Sequence, residues 1–201
     1  MRSTFQMLPF LTVLSLFVTS CGNTTPSVEY YTLSPMQMSA IQESEGFKYN
    51  YAVIGIGPIT VPEYLESSRI VTRSSPNKLK INEYHRWGGS LEDELLRTIS
   101  ENVSLLTGSE KVIVSPWKRS IRPDIHIQIS FKNLEAIPGK KAVLRASWII
   151  NSPDSRNNSR VNLSKFEKDI SSSDIESIVA AQSQLIERLS LEIVNSLNGS
   201  E

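Results

Sequence analysis

Apolar residues recur at helical spacing in two stretches of the chain. Leu91, Leu95, Ile99, Val103 and Leu106 lie on one stripe, which predicts a helix over about 90–107. Ser90 stands where an N-cap belongs, with Asp93 three residues on. Glu92, Glu94, Arg97 and Glu101 fall away from the stripe, and Gly108 is placed to end the helix. The second stripe is longer. Ile175, Ile178, Val179, Gln182, Leu185, Ile186, Leu189, Ile193 and Leu197 share a face, predicting a helix over about 174–198. Ser173 and Glu176 have the spacing of a capping box at its start, and Asn198-Gly199 closes it.

Between these helices the period changes to two. Ile125, Ile127, Ile129 and Phe131 alternate with His126, Gln128 and Ser130, the signature of a half-exposed strand that leaves His126 facing solvent. Pro138-Gly139-Lys140 reads as a hairpin turn. Lys141–Ile150 is then the antiparallel partner, with Leu144, Ala146, Trp148 and Ile150 on one side. Shorter strands are predicted at Tyr30–Leu33, Tyr51–Val61, Arg69–Arg73, Lys78–Ile81, Lys111–Val114 and Arg160–Phe166, and Pro62 opens a helical turn. Residues 34–49 and 151–160 read as loops. The expected fold is α/β: a single domain in which a mixed β-sheet of about five to six strands packs with two main helices.

The N-terminus follows a different pattern. Arg2 precedes an apolar run, Leu8–Val18, that is too short to span a bilayer, and Val18-Thr19-Ser20-Cys21 follows it. This end resembles a bacterial lipobox. The resemblance implies cleavage before Cys21 and lipidation of its thiol, with palmitate among the expected chains. Residues 1–20 are then a signal peptide, 21–29 a lipidated tether and 30–199 the folded domain. Gly22, rather than Asp, follows the cysteine, which leans toward the periplasmic face of the outer membrane by a sorting rule. An ordinary secretory signal is the other reading.

Charge and composition exclude several functions. The chain holds 21 bases and 21 acids, and loss of the leader removes only Arg2. No basic stripe exists, so a nucleic-acid partner is not expected. The single cysteine forbids an intrachain disulfide, and the two histidines, His85 and His126, form no HExxH-like pair. Gly55-Ile56-Gly57 lacks a third glycine and runs into Pro58, so it suits a kink or a close backbone contact better than a phosphate loop. No Gly-x-Ser-x-Gly elbow occurs. The expectation is a non-enzyme with no cofactor and no metal. Arg86 and Trp87, ahead of Gly88-Gly89, read as a loop before the first helix. Trp87 suits either a core anchor or a partner surface.

Several segments carry a resemblance to one family. Val-Ile-Gly-Ile-Gly-Pro-Ile-Thr-Val-Pro-Glu-Tyr-Leu at 53–65 is similar to the "GVGPVxLPxYL" signature of ABC-type transport auxiliary lipoproteins, the paraquat-inducible protein C type (PqiC/YmbA). Ile70-Val71-Thr72-Arg73 with Asn77-Lys78-Leu79 resembles "QIVxR…NxL", and Tyr30-Tyr31-Thr32-Leu33 resembles "YYxL". Arg86-Trp87-Gly88-Gly89-Ser90-Leu91 stands where the family has "RWAEPL", with Gly-Gly-Ser replacing Ala-Glu-Pro. The resemblance implies a periplasm-facing lipoprotein that docks an MCE-domain protein bridging the periplasm, within a system moving lipids between membranes. It also implies attachment to the membrane through the lipid anchor, assembly into a homo-oligomeric ring and no catalytic residues. The candidate partner surface is Tyr64, Arg73, Arg86 and Trp87, residues that equally suit a family core. The alternative is a periplasmic lipoprotein that itself binds lipid or a small ligand between sheet and helices.

Overall fold

The computed structural model describes residues 26–37, 52–151 and 161–198. Cys21, the leader and most of the tether lie outside them, as do the greater parts of the two expected loops.

The strands are β1 (Glu29–Tyr31), β2 (Ile54–Thr60), β3 (Arg69–Ser75), β4 (Lys78–Trp87), β5 (Val112–Val114), β6 (Ile125–Ile137), β7 (Lys141–Asn151) and β8 (Val161–Asp169). The helices are α1 (Leu91–Thr107) and α2 (Ile175–Asn198). They form one α/β domain, but the strands divide into two mixed sheets where one was expected. The larger has the order β5-β2-β6-β7-β8, parallel across β5, β2 and β6 and antiparallel from β6 to β8. The smaller has the order β1-β4-β3, with β1 parallel to β4.

The periodicities explain the layering. Ile54 and Ile56 pair with Ile125 and Ile127, and Ile129 pairs with Trp148, so the large sheet turns one apolar face inward. Both helices pack on the large sheet, α1 over β2 and β5, α2 over β6, β7 and β8, and they touch each other. Leu91, Leu95, Ile99 and Val103 meet Ile178, Leu185, Leu189 and Ile193 in one core, all at most 1% exposed. Each such side chain contributes about 1.5–3 kcal/mol by leaving water.

The helix ends are mostly as expected. Ser90 Oγ accepts the Asp93 N–H at 3.0 Å, and Gly108 closes α1 in the left-handed region at φ 64°. At α2 the capping oxygen belongs to Asp174, which accepts the Ser177 N–H at 2.6 Å. Ser173 does not supply it, because the first helical residue is Ile175.

Three other expectations change. The strand expected at Lys78–Ile81 continues to Trp87, so Arg86 and Trp87 lie in a sheet and not in a loop. Glu94 is buried in α1, not turned outward. Its carboxylate accepts the Leu33 N–H at 3.0 Å, one of several bonds holding residues 32–37 across the two helices. Asn102 Oδ1 accepts the Met36 N–H at 2.8 Å, Ser183 Oγ accepts the Ser34 N–H at 3.1 Å, and Arg97 donates to the Leu33 carbonyl at 2.5 Å. Finally, His126 is half-buried and within 2.6 Å of the Gly57 carbonyl, its ring edge-on to Trp117. The 115–124 connection covers this end of the sheet. Gly55 makes room for it, since a Cβ there would sit 2.8 Å from Pro123.

Candidate partner-binding surface

The four residues of the expected partner surface fall into different surroundings. Tyr64 lies in the short helical turn Glu63–Leu65, which Pro62 opens and buried Leu65 pins. Arg73 lies on β3, facing Leu79 across the hairpin. A third group, unforeseen from sequence, brings them together: Glu135 on β6, 5% exposed. The Tyr64 hydroxyl donates to Glu135 Oε1. Arg73 donates from Nε to Oε2 and from Nη2 to Oε1, the latter at 2.8 Å. Arg73 Nη1 also donates to the Pro76 carbonyl at 2.6 Å.

Glu135 reaches this position through a register break. β6 carries one extra residue between Phe131 and Asn133, so the inward set passes from odd to even numbers and Leu134 and Ala136 become the buried pair. Glu135 therefore points away from the helices, toward β3.

Electrostatics follow from this geometry. Burial pushes the Glu135 carboxyl up, but the hydrogen bonds from Arg73 and Tyr64 and the charge of Arg73 outweigh it, so the group lies below the usual glutamate range. Burial and the bond to Glu135 both raise the Tyr64 hydroxyl, which stays protonated. The result is a forked arginine–carboxylate pair with a tyrosine on one oxygen, a weld between the hairpin and the large sheet. It holds no free nucleophile or base.

Trp87 is 4% exposed and belongs to the core cluster beside Leu33 and Leu91. Arg86, its neighbour, points the other way. It faces Tyr30 on β1 and Arg69 on β3. Its Nε is buried without a hydrogen-bond partner among the described residues. Tyr30 and Tyr84 are 66% and 41% exposed. On the inward side of the same strands, the Tyr31 hydroxyl donates to Glu29 Oε2 at 2.6 Å and lies 3.0 Å from His85 Nδ1. Burial and Glu29 push that hydroxyl up to about 12.

Among the described residues, no group of three or more His, Cys, Asp or Glu side chains is placed to hold a metal ion. No described helix is long and apolar enough to cross a membrane.

Comparison with known proteins extends these observations. No curated protein matches the sequence. Among solved structures, an uncharacterized protein superposes with a TM-score of 0.69 at 16% identity, over 86% of this chain and 99% of the other. Protein XCC0632 from Xanthomonas campestris, assigned to the DUF330 family, superposes with a TM-score of 0.68 at 15% identity, over 83% and 93% of the two chains. At such identities the likeness establishes the fold. The family model described as "ABC-type transport auxiliary lipoprotein component" matches residues 31–194, from β1 into the last turns of α2. Expected from the motifs at 53–65 and 86–91, and now matched along nearly the whole described fold, this chain belongs to the ABC-type transport auxiliary lipoprotein family.

Proposed function

We propose that this protein is a non-enzymatic docking subunit, held by acyl chains on Cys21 at the periplasmic face of the outer membrane. It receives an MCE-domain protein that bridges the periplasm and carries lipid between membranes. The observation that carries this reading is the match of the folded chain to a transport auxiliary lipoprotein family. Two further points support it. A lipobox-like Cys21 precedes the first strand by eight residues, and two or more acyl chains hold a protein stably on a bilayer. The space between sheet and helices is filled by Ile54, Ile56, Leu95, Ile99 and Ile127, none above 0% exposed. That filling favours holding a partner over holding a lipid.

Crosslinking in intact membranes, followed by identification of the captured proteins, tests the partner. Recovery of an MCE-type protein is the expected result, and its absence overturns the docking role. The anchor has a separate test. Cys21→Ala should abolish membrane retention, and persistent outer-membrane fractionation of that variant would refute lipidation at this residue.

A further inference from the structure

The small sheet presents a charge arrangement that the fold does not complete. Arg69 and Arg86 are direct cross-strand partners on β3 and β4. Like charges in that relation are destabilising. Arg69 has Glu83 at 3.5 Å, between two largely exposed side chains. The nearest acid on β1, Glu29, is engaged by Tyr31 and His85. Arg86 has no hydrogen-bonding or ionic partner among the described residues, and its Nε is enclosed by protein. With Nε enclosed, the two terminal guanidinium nitrogens remain to take a carboxylate end-on, as a planar fork of donors does. Tyr30, directly opposite Arg86 on β1, exposes its ring beside it. Tyrosine with arginine is the composition of an interface anchor.

From this geometry we propose that Arg86, backed by Arg69 and flanked by Tyr30, receives a carboxylate side chain from an acidic segment of a partner polypeptide. The proposal rests on the docking role above and names the chemistry of the docked segment. A protein carboxylate fits better than an anionic membrane surface. Membranes attract clusters of several bases, whereas Arg86 has Arg69 beside it with Glu83 on Arg69, and the exposed Lys78 and Lys80 lie at the opposite end of β4. One planar acid completes it.

Tyr30→p-benzoylphenylalanine in the full-length protein, irradiated in living cells, places a photo-crosslinker beside Arg86. The expected product is a crosslink to a segment of another protein bearing Asp or Glu. Arg86→Glu should lower its yield about tenfold or more. Exchanging the captured acid for arginine should restore it. Arg86→Gln, checked by thermal melting, replaces the charge-reversed variant if that one fails to fold, and should lower the yield as well. Crosslinking to lipid, to a second copy of this chain or to a segment without a carboxylate overturns the inference, as does no crosslink or a yield indifferent to Arg86. If lysine crosslinking of the unaltered protein recovers an MCE-type protein while the Tyr30 probe captures none, the docking role stands and this inference falls.

Discussion

Glu135 ties the two sheets together, and its ionisation should be visible in stability. An unfolded glutamate titrates at about 4.3. In the folded protein the group lies lower, because Arg73 and Tyr64 outweigh burial. The stabilisation is therefore complete above the unfolded value and is lost as pH falls through that value and past the folded one. Chemical denaturation between about pH 3 and 7 should show this loss in the unaltered protein and a shallower acid limb in Glu135→Gln. Glu135→Ala leaves the Arg73 guanidinium without its carboxylate and should cost about 3 kcal/mol. A double-mutant cycle with Arg73→Ala should return much of that as coupling, and additive losses would refute the weld. Sequence reading found Tyr64 and Arg73 through their motifs but not Glu135. The visible alternation stops at Phe131, and only the extra residue in β6 sets the later even positions inward and turns Glu135 toward β3. Glu94 was misread for a related reason. An acid in a first helical turn is sufficiently explained by the helix dipole, and the Leu33 N–H that it accepts lies 61 residues away.

Elements were the most legible level, because periodicity reports directly on which face is buried. Both helices fall within a residue of their expected limits. The β6–β7 hairpin follows from its alternation, and Pro138-Gly139-Lys140 forms its turn. The length of β4 was not legible. Between the Val71–Ile81 and Arg69–Arg86 pairs, β3 advances two residues while β4 advances five, and Asn82 staples this excess by donating to the Ile70 carbonyl at 2.8 Å. Alternation cannot survive such a bulge. The 32–37 strap was equally hidden, since it is neither helix nor strand. It depends on Asn102, 0% exposed, which accepts from Met36 and donates to Ser190 at 3.2 Å. Asn102→Ala strands a buried N–H and should cost about 1–3 kcal/mol. Hydrogen exchange should show lost protection centred on Met36, and unchanged exchange there would contradict the strap.

Over the whole molecule, the class of fold followed from two helices alternating with strands, but the division into two sheets did not. The β3–β4 hairpin pairs with no strand of the larger sheet, and β1 joins it in parallel with Glu29 opposite His85, which no local pattern announces. The smaller sheet is also held to the body by the β3–β6 packing, by Ile70, Val71 and Trp87 in the shared core, and by the strap. A chain beginning at residue 38 loses β1 together with Leu33 and Met36, which are 1% and 5% exposed. Relative to one beginning at residue 26, it should lose about 3–6 kcal/mol from those two side chains alone. Equal melting temperatures for the two truncations would show that β1 and the strap contribute nothing to cohesion.

The strap also decides how tension travels. A pull applied ahead of Pro26 meets a three-residue parallel strand first, then clasps at Leu33, Ser34 and Met36 distributed over both helices. Three successive attachments in a six-residue span pass such a load to both helices rather than to the small sheet alone.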